Sequence, residues 1–103
     1  MIVVMNVVTV DPENVALFEE RFLTRERLLS EADGFAGFEL LKREIEDGAE
    51  FSVTTHWEST EAFQGWVRSD LFKRAHERER SQGSVARSSE LRVYDVMDAE
   101  VPA

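Results

Sequence analysis

The chain has no cysteine, only two prolines and two histidines, and no long apolar run in its 103 residues. Without thiols there are no disulfides, no iron–sulfur clusters, no thiolate-ligated haem and no covalent haem attachment through Cys-x-x-Cys-His. No segment approaches the roughly 20 consecutive apolar residues of a membrane-spanning helix, so no membrane partner is expected. Met1 leads directly into Ile2-Val3-Val4, without the basic start and small-residue cleavage site of a secretory signal, and a cytoplasmic protein is expected. Basic residues are few, 12 against 21 acidic ones, for a net charge of −9. A surface of that sign repels a phosphate backbone, which argues against a nucleic-acid partner. Gly-x-Ser-x-Gly elbows, phosphate-cradling glycine loops and dinucleotide fingerprints are also missing, so neither flavin nor nicotinamide is expected to be bound.

What is present suits one small globular domain: 43% hydrophobic and 32% charged residues. We expect a single domain over residues 1–97 and a polar tail over 98–103. Residues 2–10 are rich in β-branched types and predict a strand. Asp11-Pro12 predicts a helix start, and Val15, Phe18, Phe22, Leu28 and Leu29 predict its continuation to about Ala32, where Asp33-Gly34 ends it. Strands are predicted over Phe35–Glu44 and Phe51–Glu58, joined through an Asp47-Gly48 hairpin turn. Ser59 and Ser69 are predicted N-caps, of helices reaching about Arg68 and Arg80. A loop over Ser81–Ser89 and a strand over Glu90–Met97 complete the chain. The order β-α-β-β-α-β predicts an α+β, ferredoxin-like sandwich with helices on one face of an antiparallel sheet. The first strand is apolar on both faces, with Val3, Met5 and Val7 opposite Ile2, Val4, Val8 and Val10. The simplest way to bury both is a homodimer in which a second copy covers the bare face.

Asn6 interrupts the apolar face of that strand, and a buried amide costs about 1–3 kcal/mol unless it is hydrogen-bonded. It is either a structural amide tied to backbone or a donor aimed into a pocket. Trp66, one turn after Phe63, is either core packing or an aromatic wall for a flat ligand. His76 lies four residues after Phe72 with no second His or Cys nearby to build a zinc site. A single axial imidazole is nevertheless enough to hold haem iron. His56, facing away from Phe51, Val53, Thr55 and Trp57, is expected to be structural or interfacial, and Tyr94 to pack. Arg25 after Phe22, and Arg80 one turn after His76, are either solvated charges or, if Phe22 and His76 line one pocket, cations that meet carboxylates at its rim.

Asn6, Arg21-Phe22 with Arg25, Gly34-Phe35, Gly37-Phe38, Trp57-Glu58-Ser59, Phe63, Trp66, Ser69-Asp70, Phe72-Lys73, Ala75-His76 and Arg80 together resemble the IsdG-type haem-degrading monooxygenases. These belong to the antibiotic biosynthesis monooxygenase superfamily of dimeric α+β barrels. The resemblance spans residues 1 to about 97, and Asn6, Trp66 and His76 stand where that branch has its Asn–Trp–His triad. It implies haem as both cofactor and substrate, bound between sheet and helices with His76 as proximal iron ligand. Trp66 would distort the macrocycle, and Asn6 would hydrogen-bond a distal oxygen species or hold the distorted haem. Phe22, Phe63 and Phe72 would line the pocket; Arg25 and Arg80 match arginines of the pattern, and we infer from their charge that they meet the propionates. O2 and an external electron donor or reductase would open the ring and release iron. The alternatives are a cofactor-independent monooxygenase of a polycyclic quinol or anthrone, which has no need of His76, and a non-catalytic haem-binding module.

Overall fold

A computed structural model describes residues 1–103, apart from the side chain of Arg78. Strands β1 (Ile2–Val10), β2 (Phe35–Ile45), β3 (Gly48–Trp57) and β4 (Ser88–Asp95) form one antiparallel sheet in the order β2-β3-β1-β4. Helices α1 (Val15–Leu23), α2 (Thr60–Val67), α3 (Asp70–Ala75) and α4 (Glu77–Gln82) connect them, giving the expected α+β, ferredoxin-like order. Because β1 lies between β3 and β4, the α2–α4 connection crosses over β1. The α1 connection likewise crosses over β3, where Phe18 meets Phe51 at 4.4 Å between ring centroids.

The core lies between helices and sheet, in two clusters. Ile2, Val4, Leu28, Trp57 and Trp66 form one, with Phe63 and Phe72 packed against it. Val8, Val10, Phe18, Ala49 and Phe51 form the other, with Phe22 and Leu40 against it. Both clusters take alternate residues of β1, and the position between them is Asn6, which pairs with Val53 of β3 and Leu91 of β4. The polar intruder in the strand therefore marks a seam in the core.

Two helices depart from the sequence expectation. The predicted helix to Ala32 stops at Leu23, follows a short 3-10 turn at Pro12–Asn14, and resumes only as a second 3-10 turn at Leu29–Glu31. The Thr24 hydroxyl caps the carbonyl of Glu20 at 2.6 Å, and the Arg25 guanidinium folds back to the Phe22 carbonyl at 2.8 Å. Phe18 and Leu28 share a helical period but fill different clusters, so the chain must turn between them. Asp11 makes no cap; its carboxylate takes Arg87 at 2.8 Å. The second departure is at His76, where φ −103° and ψ 5° break the predicted run to Arg80 into α3 and α4. Helix then continues to Gln82, and β4 starts at Ser88, so the connecting loop is shorter than predicted at both ends. The hairpin turn is Glu46-Asp47, with Ile45 facing Gly48. Gly48 has φ +126° and lies so close to the Val10 carbonyl that no side chain fits. Both serine caps form as expected, Ser59 accepting from the Ala62 amide and Ser69 from the Phe72 amide, each at 3.1 Å.

Candidate functional site

Asn6 is half-buried at the seam, and among the described residues its side-chain amide makes no hydrogen bond. The floor around it is apolar: Val53 beside it on β3, Leu40 beyond on β2, and Leu91 on β4. Two groups of side chains flank this floor.

The first group is an aromatic row on the α2–α3 side. Trp66 is 7% exposed, at 6.2 Å from Trp57 and edge-on to Phe72 at 5.8 Å. Phe72 in turn lies 4.0 Å from the His76 ring. Phe63 contacts Trp57, so it supports the row from behind. The His76 imidazole is held by its Nδ1, 2.8 Å from the Phe72 carbonyl oxygen. A carbonyl only accepts, so Nδ1 carries a proton, and Nε2 is the nitrogen left to serve as a ligand. Among the described residues Nε2 has no partner. The break between α3 and α4 thus presents one oriented imidazole nitrogen, held the way a ligating histidine is held by its outer contacts.

The second group is on the α1 side. Phe22 stacks with Phe38 of β2 at 6.1 Å and 7° between planes, and the Arg25 guanidinium lies 4.9 Å from the first ring and 4.4 Å from the second. Burial pushes the pKa of Arg25 down, and the neighbouring charge of Arg27 adds to it. Among the described residues no carboxylate pairs with this cation. In a chain of net charge −9, a partly desolvated arginine without an acid is prepared for an external anion. Phe38 was not singled out for the site from sequence, although β2 alternation puts it on the same face as Leu40.

Two contacts tie the flanks together. Arg74, two residues before His76, forks onto Glu26, next to Arg25, with Nε to Oε1 at 2.9 Å. Arg21 of α1 donates to the Gly83 carbonyl after α4 at 2.9 Å. Arg80 turns its guanidinium onto the Lys73 carbonyl at 2.6 Å, along its own helices. His56 lies on the open face of the sheet, 3.3 Å from Glu39, away from all of these residues. The arrangement brings His76, Phe72 and Trp66 into one row and Phe22, Arg25 and Phe38 into another, with Asn6 on the floor between.

A plane of apolar floor, one free imidazole nitrogen, one free amide and one unpaired cation suits a flat, apolar, anionic ligand that carries a metal. Comparison with known proteins points the same way. The family model for antibiotic biosynthesis monooxygenases matches residues 1–78. A heme-degrading monooxygenase of Bacillus mycoides is 31% identical over 103 residues, covering 99% of this chain and 95% of that protein. One from Listeria welshimeri is 52% identical over 52 residues, which span 48% of this chain and less than half, 43%, of the Listeria protein. The solved structure of the heme-degrader MhuD from Mycobacterium tuberculosis, with two hemes bound in its active site, superposes with a TM-score of 0.72 at 32% identity, covering 96% of this chain and 99% of that one. The chain belongs to the antibiotic biosynthesis monooxygenase family and is similar, along its whole length, to that family's haem-degrading enzymes.

Proposed function

We propose that this protein binds haem through His76 and opens the porphyrin oxidatively, haem serving as cofactor and substrate together. The observation that carries the reading is the His76 imidazole, with Nδ1 committed to the Phe72 carbonyl and Nε2 left to serve as a ligand. A cofactor-independent oxygenase of a quinol needs no such nitrogen. When bound, haem supplies the iron redox chemistry with O2 and electrons from an external donor.

The protein's own contribution is binding, orientation and distortion. His76 would hold the iron, and Phe72 packs against the imidazole ring to fix its plane. Trp66, edge-on to Phe72 and backed by Trp57 and Phe63, is the rigid element that would bear on a bound macrocycle. Asn6 offers its unpartnered amide from the sheet, beside Val53 and Leu91. Arg25 meets a propionate carboxylate, and Arg80 meets the other by exchanging its bond to the Lys73 carbonyl. The reading includes a cytoplasmic location and a homodimer. Supporting the dimer are Val3, Met5 and Val7, which are half-buried on the open face of the sheet beside exposed Leu41 and Tyr94.

Titration with hemin tests the iron ligand. A one-to-one complex with a shifted Soret band is expected, and His76→Ala abolishes it. An unshifted Soret band with the wild-type protein sinks the proposal.

A further inference from the structure

We propose that Leu91 and Val93 of β4 form the apolar half of the ligand floor and set which way round the macrocycle lies. This inference rests on the haem-binding reading and adds an orientation to it. In the β1–β4 register Leu91 faces Asn6 and Val93 faces Val4, so both side chains project from the helix-covered face. Neither is covered: Leu91 is 60% exposed and Val93 52%. Nor can α4 cover them, since its sequence Glu-Arg-Glu-Arg-Ser-Gln carries no apolar residue to pack down. α3 packs on the Ile2–Val4 cluster, and Val85 and Ala86 on the Val8–Val10 cluster. Neither group covers Leu91 or Val93 at the level between the clusters.

Exposed apolar side chains on an edge strand are a liability unless something covers them. A second copy on the open face would not, because the residues of β4 on that face are Glu90, Arg92 and Tyr94. Across the same sheet the opposite flank ends in Arg25 over Phe38 on β2. β2 and β4 are three strand spacings apart, about 14 Å at 4.8 Å per spacing. Apolar surface thus lies at one end of that span, an unpaired cation at the other, and Asn6 between. The occupant that fits is a planar macrocycle with vinyl and methyl groups on one edge and carboxylates on the other. Its apolar edge rests on Leu91 and Val93, and its propionates point toward Arg25.

Hemin titration of Leu91→Asp and Val93→Asp tests this, with circular dichroism confirming the fold that their exposure allows them to keep. Each variant should bind hemin about tenfold more weakly, the loss expected when an apolar contact is replaced by a charge. In the cyanide complex of wild-type protein with hemin, nuclear Overhauser contacts should join the Leu91 and Val93 methyls to vinyl protons. Affinities within twofold of wild type, with the Soret complex intact, overturn the platform and leave the haem reading standing. Contacts from those methyls to propionate protons overturn it as well, as does a change in sedimentation mass with unchanged affinity, which would make the strip a contact between copies. Absence of any Soret shift in the wild type removes the haem reading and this inference with it.

Discussion

Arg25 shows how a residue can serve binding at the expense of the empty fold. Its guanidinium leans on two phenylalanine rings and the Phe22 carbonyl, and no described carboxylate offsets its burial. The folded-state pKa is lowered, so the charged form is disfavoured by folding; because an arginine stays protonated across the working range, this penalty does not vary with pH there. An anion at the site reverses the sign. Arg25→Gln is therefore expected to leave the thermal midpoint of the ligand-free protein unchanged or higher, while weakening hemin binding about tenfold, a loss typical of a charge-assisted hydrogen bond. A lowered midpoint with unchanged affinity would show a purely structural arginine. Much of this site was legible from residue types: Asn6 in an apolar strand, a histidine after Phe72, arginines near aromatics. The partnering was not. That Nδ1 of His76 is taken and Nε2 free depends on a carbonyl reached only once the helix bends.

At the scale of elements, the informative features are two breaks in helices that the apolar period reads as continuous. Period alone does not say which of two clusters a residue fills, so Phe18 and Leu28 were assigned to one helix. The capping serines, by contrast, act within four residues, and both were correctly placed from sequence. The break at His76 separates α3, which packs through Leu71, Phe72 and Ala75, from α4, which has nothing apolar to pack. A helix of that composition gains little from tertiary contact, so it opens locally at low cost. Backbone amides of α4 are expected to exchange hydrogen within seconds to minutes in the ligand-free protein, much faster than those of β1. Saturating hemin should slow them. Protection of α4 equal to that of β1 before hemin is added would refute a free-standing segment.

For the whole molecule, the order of elements carried the fold: one β-α-β-β-α-β pass yields the sheet β2-β3-β1-β4 with α1, α2 and α3 packed on one side. The other side remains the half-apolar surface that β1 announces through Val3, Met5 and Val7. Sedimentation should give twice the chain mass, and Met5→Asp, placing a charge at the centre of that face, should give the mass of one chain. A wild-type monomer would contradict the covered-sheet account. The division of the core at Asn6 has no signature in composition, because it arises only when segments of both crossovers pack on each half of one strand. That division makes room for a ligand between sheet and helices, and ring opening is the central claim about what happens there. The most direct measurement follows the Soret band of the one-to-one hemin complex under ascorbate and oxygen. The account predicts bleaching of the band with release of iron to a ferrous chelator, and neither in His76→Ala; a hemin complex that keeps its Soret band and its iron under the same conditions would contradict it.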